Sequence, residues 1–202
     1  IIMINVLVVE DQQMVREAIS ALVGLDPFIT VVGQAQDGKA ALTFLHENTV
    51  DIVLSDIEMP NMTGIEVAES LQKNNASWKT MIMTTFSKAG YIKRAMNAGV
   101  YAFILKEAPS EQLINAIKSV QQGKKVIDPE LALLALSDTD PLNDKERKAL
   151  KLAGDGLKTH DIAAKLFLSE GTVRNYLSEA ISKLNAVNRV DAARIAQQKG
   201  WL

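Results

Sequence analysis

The segment VDIVLSDIEMP, residues 50–60, decides how the first part of the chain folds. Its apolar run at residues 52–54 has no polar alternation, which is typical of a strand buried on both faces of a parallel sheet. Asp56 follows at the carboxyl end of this strand, and Pro60 closes the segment. Because ligands of open α/β sheets bind beyond the carboxyl ends of the strands, Asp56 is a candidate functional residue. A single acid at a strand end is often only a helix cap, so this interpretation needs partners from other strands.

Strand-like and helix-like segments alternate on both sides of this stretch. Apolar runs at residues 5–9, 30–32, 80–84 and 102–105 predict four more strands. Segments with apolar residues at helical spacing follow the strands, and the last of them covers residues 109–122. Five such repeats predict an α/β domain with a doubly wound, five-stranded parallel sheet and helices on both faces.

Polar residues stand at the ends of four of these predicted strands. The first strand ends in Glu10-Asp11, the third in Asp56, the fourth in Thr84 and the fifth in Lys106. Three neighbouring carboxylates repel one another and favour a hard divalent cation with oxygen ligands, for which Mg²⁺ is the best fit. A lysine and a hydroxyl beside them can neutralise and hydrogen-bond a phosphoryl group. The combination therefore predicts a Mg²⁺-dependent phosphoryl site.

The composition of the 202-residue chain narrows the class of protein further. The absence of cysteine excludes disulfides, zinc–thiolate sites and cysteine catalysis, and we expect a cytoplasmic protein. No apolar run has the length of a bilayer span, so we expect no membrane association. Residues 1–141 carry 11 basic and 17 acidic side chains, whereas residues 142–202 carry 11 basic and 7 acidic ones. The basic second part is typical of a module that binds an anion such as nucleic acid.

The predicted domain boundaries follow from a change in the sequence pattern after the last α/β repeat. Residues 1–122 form the first predicted domain, and residues 123–141 form a linker with a short helix at 130–136 and a turn-rich stretch at 137–141. Residues 142–202 show no strand-like alternation and fit a small all-α domain of four helices.

Two of these predicted helices have the lengths and the short connection of a helix-turn-helix pair. A helix at residues 159–166 is followed by a short break, and Ser169 can cap a helix that runs to Leu184. One face of the latter helix is polar and includes Arg174, Asn175 and Ser178. Most polar faces are merely solvated, but arginine and asparagine are side chains that read guanine and adenine edges. This pattern predicts a DNA-binding helix.

Residues 4–122 resemble the receiver domain of bacterial two-component response regulators, which has a flavodoxin-like fold. The resemblance lies in Glu10-Asp11, in VLSDIEMPNMTG at residues 53–64, in Thr84, and in Lys106 with Phe103 before it. It implies that Asp56 is the phosphoacceptor, that Lys106 pairs with the phosphoryl group, and that Thr84 and a rotating Phe103 form the switch. It also implies a Mg²⁺ site made of Glu10 (through water), Asp11, Asp56 and the backbone carbonyl of Glu58. Many receivers have proline directly after this lysine, whereas Glu107 follows it here, so no cis-proline turn is expected.

Residues 142–202 resemble the LuxR-type helix-turn-helix of the NarL/FixJ subfamily. The resemblance lies in LNDKERKALKLAGDGLKTHDIAAKLFLSEGTVRNYLSEAISKL and in the following NRVDAARIAQQKGWL. By this resemblance Arg174, Asn175 and Ser178 read bases. The side chains expected to contact phosphates are those of Thr159, Lys165, Ser169, Thr172, Tyr176 and Lys183. The sequence is also similar to regulators that control membrane-lipid desaturation.

Together the two resemblances imply a transcriptional regulator that is not an enzyme. A separate sensor histidine kinase would phosphorylate Asp56, and a homodimer formed on phosphorylation would bind promoter DNA. Two alternatives remain open at this point. One is a Mg²⁺-dependent phosphatase that acts through an aspartyl-phosphate, although Glu58 stands where such enzymes place a second Asp. The other is a DNA-binding regulator that does not use phosphorylation.

Overall fold

The structure is a computed structural model, and it describes residues 3–74, 77–85, 89–137 and 139–202. It consists of two compact units, an α/β unit followed along the chain by a helical unit. In the described part of the chain, no helix is both long enough and apolar enough to cross a membrane.

The α/β unit is built on a parallel sheet with the strand order β2-β1-β3-β4-β5-β6. The strands are β1 (Ile4–Val9), β2 (Ile29–Ala35), β3 (Ile52–Asp56), β4 (Lys79–Thr84), β5 (Ala102–Leu105) and β6 (Val126–Ile127). The predicted fold class is confirmed, but the described residues form a sheet of six strands where the sequence predicted five. The additional strand, β6, lies in the segment predicted to be a linker and pairs with β5 through Ala102 and Phe103.

Helices cover both faces of the sheet, as the apolar strands require. They are α1 (Gln13–Val23), α2 (Gly38–Glu47), α3 (Gly64–Lys73), α4 (Ala89–Asn97) and α5 (Ser110–Gln121). Val6 and Val8 of β1 pack with α1 and α5 on one face, whereas Leu7 and Val9 pack with α2 and α3 on the other. Successive side chains of a strand point to opposite faces, so one strand contributes to both cores.

Part of the segment after α5 forms regular secondary structure. Besides β6 it contains α6 (Pro129–Ser137), which agrees with the predicted short helix. Asp128 Oδ1 accepts a hydrogen bond of 2.9 Å from the Glu130 amide at the start of α6, as expected of an aspartate before a first-turn proline. The turn-rich stretch predicted at 137–141 includes Asp138, which lies outside the described residues.

The helical unit contains the four predicted helices: α7 (Asp144–Gly154), α8 (Thr159–Leu166), α9 (Glu170–Lys183) and α10 (Arg189–Lys199). Asn143 and Glu146 form a reciprocal capping box at the start of α7. Leu150, Ile162, Val173 and Ala193 lie in a single apolar core to which each of the four helices contributes. The topology therefore leaves α8 and α9 as a helix pair joined by the three residues 167–169.

Candidate functional site: a carboxylate–lysine site and a recognition helix

The parallel sheet brings the predicted site residues of the first unit to one edge. Strand β3 ends at Asp56 and β4 ends at Thr84. Glu10 follows β1, and its amide donates a hydrogen bond of 3.0 Å to the Ala35 carbonyl at the end of β2. Lys106 follows β5, and its amide donates one of 2.8 Å to the Thr84 carbonyl. Hydrogen bonds between adjacent strand ends thus fix the backbone beneath the site.

Three carboxylates form the acidic part of this site. Oxygen atoms of Glu10, Asp11 and Asp56 all lie within 4.8 Å of one another. Glu10 is only 1% exposed, Asp56 is half-buried and Asp11 is exposed. An all-oxygen donor set of high negative charge, open to solvent on the Asp11 side, fits a hard divalent cation that retains water ligands. These residues therefore fit the predicted Mg²⁺.

Lys106 is the cation of the site. Its Nζ donates a hydrogen bond of 2.6 Å to Glu10 Oε2 and lies 3.3 Å from Asp56 Oδ1. Burial alone would lower the pKa of the Lys106 ammonium, but Glu10 and Asp56 outweigh it, so the pKa lies above its ordinary value. Burial raises the pKa of the Asp56 carboxyl; Lys106 opposes this shift and Glu10 adds to it. The lysine therefore stays charged beside a carboxylate that is poorly solvated.

The remaining predicted residues of this site differ in exposure. Thr84 is buried at the end of β4, and Phe103 is buried within β5, opposite Ile82 of β4. The side chain of Glu58 is exposed, while its neighbours Ile57 and Met59 are buried. The switch roles of Thr84 and Phe103 and the ligand role of the Glu58 carbonyl stay predictions.

Two supports of the site were missed by sequence reasoning. Arg16 of α1 donates a hydrogen bond of 2.6 Å through Nη1 to the Glu10 carbonyl. Asp37, which caps α2, accepts a hydrogen bond of 2.9 Å from Asn61 Nδ2 in the loop after Asp56. The Asp37-Gly38 pair signals a helix start, but the contact with Asn61 spans 24 residues and leaves no local signal.

The helical unit presents the predicted base-reading residues on one exposed face of α9. Ser169 caps this helix by accepting a hydrogen bond of 3.1 Å from the Thr172 amide. Arg174, Asn175 and Ser178 are exposed, whereas Val173 and Leu177 are buried in the core of the unit. The α9 face therefore has the polarity expected of a recognition helix.

The polar face predicted for α9 also includes an acid, Glu170, at the start of the helix. Its Oε2 accepts a hydrogen bond of 3.1 Å from Arg174 Nη2. Its Oε1 lies 3.3 Å from His160 Nδ1 of α8. Arg174 and then His160 hold the pKa of the Glu170 carboxyl below its ordinary value. The Glu170 carboxylate is thus hydrogen-bonded to Arg174, the arginine that is expected to contact a base.

The side chains predicted to contact phosphates do not share one environment. Lys165, Ser169 and Lys183 are exposed, whereas Thr159, Thr172 and Tyr176 are partly buried. Lys183 Nζ lies 2.9 Å from both carboxylate oxygens of Glu146, which is only 3% exposed. Lys183, Asn143 and Arg147 outweigh the effect of burial and hold the pKa of Glu146 below its ordinary value. The structure therefore gives Lys183 a stabilising partner inside the domain, and its phosphate contact stays a prediction.

The comparisons with known proteins agree with the two units. Residues 6–118 match the family model of the response regulator receiver domain. Residues 140–196 match the model of bacterial regulatory proteins of the luxR family.

Two relatives from Bacillus subtilis (strain 168) are similar to this chain over nearly its whole length. The transcriptional regulatory protein YvfU is 44% identical over 99% of this chain and 100% of its own. The transcriptional regulatory protein DesR is 42% identical over 98% and 99%, respectively.

Two solved structures are similar as well. The response regulator ChrA of a heme-sensing two-component system is 30% identical, with a TM-score of 0.58 over 100% of both chains. A DNA complex of the response regulator RcsB, 22% identical with a TM-score of 0.66 over 97% of this chain and 98% of its own, shows the same fold. The receiver model thus matches the first part of the chain and the luxR-family model matches the second. The relatives of this chain are transcriptional regulators of two-component systems. The chain belongs to the response regulators that combine a receiver domain with a LuxR-type DNA-binding domain.

Proposed function

We propose that this protein is a transcription regulator controlled by phosphorylation of Asp56, with a separate sensor histidine kinase as the phosphoryl donor. The observation that carries the proposal is the position of Asp56, with Lys106 Nζ 3.3 Å from its Oδ1 and with Glu10 and Asp11 beside it. Residues 1–122 would form the receiver, 123–141 the connecting segment and 142–202 the DNA-binding domain.

In the proposed reaction, an oxygen of the Asp56 carboxylate attacks the phosphorus of a phosphohistidine. The new O–P bond forms as the P–N bond breaks, and the imidazole keeps the electron pair and takes a proton from water. Lys106 neutralises charge on the transferred group, and Thr84 donates a hydrogen bond to one of its oxygens. Mg²⁺ held by Asp11, Asp56, the Glu58 carbonyl and, through water, Glu10 would supply further positive charge.

The output follows from a population shift between two receiver states. Phosphorylation would favour a state in which Thr84 and Phe103 have moved together with α4, and this state would form the homodimer. The dimer would place two copies of α9 in successive major grooves of promoter DNA. Arg174, Asn175 and Ser178 would contact base edges, and the predicted phosphate contacts would set the orientation of the domain. A bacterial protein that binds promoter DNA in this way works in the cytoplasm.

Labelling with acetyl phosphate and Mg²⁺ tests the receiver half of the proposal. We expect wild type to take up about one phosphoryl group per chain and Asp56→Asn to take up none, because only a carboxylate can form the acyl phosphate. Asp51→Asn is the matched control, since Asp51 lies at the other end of the same strand and accepts a hydrogen bond of 2.7 Å from the Asn5 amide. Unchanged labelling of Asp56→Asn would refute the site.

Two further results separate the alternatives. Repeated turnover of a phosphate ester, beyond one equivalent of label, would identify a phosphatase. DNA binding that is the same with and without acetyl phosphate, in a protein that takes up no label, would identify a regulator that does not use phosphorylation. In gel shifts with promoter fragments, Arg174→Ala should lose sequence preference, because a bidentate base contact is worth roughly 1–3 kcal/mol of discrimination.

A further inference from the structure

The Asp37 side chain has two contacts of different kinds. It is 7% exposed and lies at the N-cap of α2. Its Oδ1 accepts a hydrogen bond of 2.8 Å from the Ala40 amide, which is the ordinary capping contact. Its Oδ2 accepts a hydrogen bond of 2.9 Å from Asn61 Nδ2. Capping uses only the first oxygen, so the second contact needs a separate explanation.

Asn61 belongs to the acceptor loop, which we define as residues 57–63 between Asp56 and α3. The loop is closed at its base by a hydrogen bond of 3.0 Å from the Gly64 amide to the Ile57 carbonyl. Its far side is held by Asp37 and by a hydrogen bond of 3.3 Å from the Gly38 amide to the Met62 carbonyl. Asn61 itself has φ 65°, a left-handed conformation that asparagine adopts more readily than most residues.

The acceptor loop and α2 also touch without spare room. A Cβ atom on Gly38 would lie 2.6 Å from Val67 Cγ2 and 2.8 Å from Met62 Cβ, so only glycine allows this approach. The start of α2 is therefore closely packed against the acceptor loop and is hydrogen-bonded to it. Between the two ties lies Glu58, the residue whose carbonyl is expected to bind the cation.

We propose that Asp37 is a positioning residue for the phosphoacceptor site: through Asn61 it holds the acceptor loop so that the Glu58 carbonyl is in place for Mg²⁺. This inference rests on the proposed function, because it assigns a task to the same site. The physical reason is that a ligand oxygen on a loop binds a cation well only if the loop is held in the bound geometry beforehand. A hydrogen bond to an ionised, buried acceptor is among the stronger ways to hold it.

One substitution separates the two contacts of Asp37. In Asp37→Ser the hydroxyl oxygen can still cap α2, since serine caps as well as aspartate. Serine has no second oxygen, so no acceptor is left for the hydrogen bond from Asn61 Nδ2. The exchange Asp37→Asn/Asn61→Asp reverses donor and acceptor and restores the bond, with a residue at position 61 that tolerates positive φ.

The experiment uses the full chain and three readouts. Mg²⁺ affinity is measured by titration of backbone amide NMR shifts, the opening of the acceptor loop by amide hydrogen exchange without metal, and the phosphoryl uptake by acetyl phosphate labelling. We expect Asp37→Ser to weaken Mg²⁺ binding about 10-fold and to speed exchange of the loop amides by a similar factor. The double exchange should return both values to within about twofold of wild type. Asp51→Asn, the control acid at the opposite end of β3, should change neither.

Each other result has a definite meaning. Mg²⁺ affinity and loop exchange that stay at wild-type values in Asp37→Ser would overturn the proposal, as would a double exchange that restores neither. A loss of the same size in Asp51→Asn would show that any weakened receiver binds Mg²⁺ poorly, which also overturns it. If wild type binds Mg²⁺ but takes up no phosphoryl group, the proposed function fails. The Mg²⁺ titration and the hydrogen exchange without metal then still decide the role of Asp37.

Discussion

Replacing Lys183 by methionine tests whether this side chain stabilises the DNA-binding domain or contacts DNA phosphate. The substitution keeps the apolar stem of the lysine and removes only the ammonium. Glu146 would then keep its bond from the Asn143 amide, at 3.0 Å, but lose both 2.9 Å contacts to Lys183. A nearly buried carboxylate would be left with too few partners.

The size of the effect follows from the burial of the two groups. At an effective dielectric constant of about 20, opposite unit charges 2.9 Å apart attract by roughly 6 kcal/mol. Desolvation of Glu146 offsets part of this attraction, and the 35% exposure of the Lys183 side chain screens another part. We expect Lys183→Met to lower the free energy of unfolding of this domain by about 2 kcal/mol near pH 7.

The loss of unfolding free energy in Lys183→Met should be smaller at acid pH. The folded-state pKa of Glu146 is depressed, so its contribution is present above the ordinary value of 4.5 and is lost as the pH falls through the folded-state pKa. The variant has no such contribution from Lys183 to lose. The difference in unfolding free energy between wild type and variant should therefore narrow below about pH 4.5.

Urea unfolding followed by tryptophan fluorescence provides the assay. The chain has two tryptophans, and a Trp78→Phe background leaves Trp201, which is buried in the helical unit, as the reporter. Lys165→Met is the matched control, because this exposed α8 lysine should affect stability little. A Lys183→Met protein that is as stable as wild type, but whose logarithmic salt dependence of DNA binding falls by about 1, would refute the stabilising role.

Three further outcomes are expected. Burial raises the pKa of Asp56, so its ionised form costs stability above the ordinary value of 3.8; Asp56→Asn should stabilise the receiver at pH 7, and urea unfolding should show the gain vanish below that value. Glu170→Gln should release Arg174 and remove an acid from the proposed recognition helix α9, which should raise both the affinity and the salt dependence of DNA binding in fluorescence anisotropy with a non-specific duplex; weaker binding would contradict this. Gly64→Ala should destabilise the receiver by about 3 kcal/mol in thermal unfolding, because its Cβ would lie 2.0 Å from the Asp56 carbonyl oxygen, whereas Gly171→Ala, with its nearest neighbour at 3.8 Å, should not.

The edge of the sheet was predictable from sequence because strand periodicity is a local signal. Each of Glu10, Asp56, Thr84 and Lys106 directly follows or ends an apolar run, and parallel strands bring such ends together. The proximity of Lys106 to Asp56 therefore needed no contact information. The same reasoning gave the four helices of the second domain from apolar spacing and capping residues.

What escaped prediction depends on single long-range contacts or on very short elements. Strand β6 has two residues, Val126 and Ile127, which is too few for any periodicity. The bond between Asp37 and Asn61 and the pair of Lys183 with Glu146 join residues 24 and 37 positions apart. A polar side chain reveals its own chemistry in the sequence, but its partner is chosen by the packing of helices and loops.

The position of Lys106 has a consequence for the order of events at the site. Its ammonium lies closer to Glu10, at 2.6 Å, than to Asp56, at 3.3 Å. A divalent cation drawn to Glu10 and a lysine bound to the same carboxylate compete for its negative charge, so the arrival of one weakens the hold on the other. By linkage, binding of the proposed Mg²⁺ at Glu10 would favour the release of Lys106 toward Asp56. That release would bring the lysine charge to the carboxylate that the proposed reaction uses.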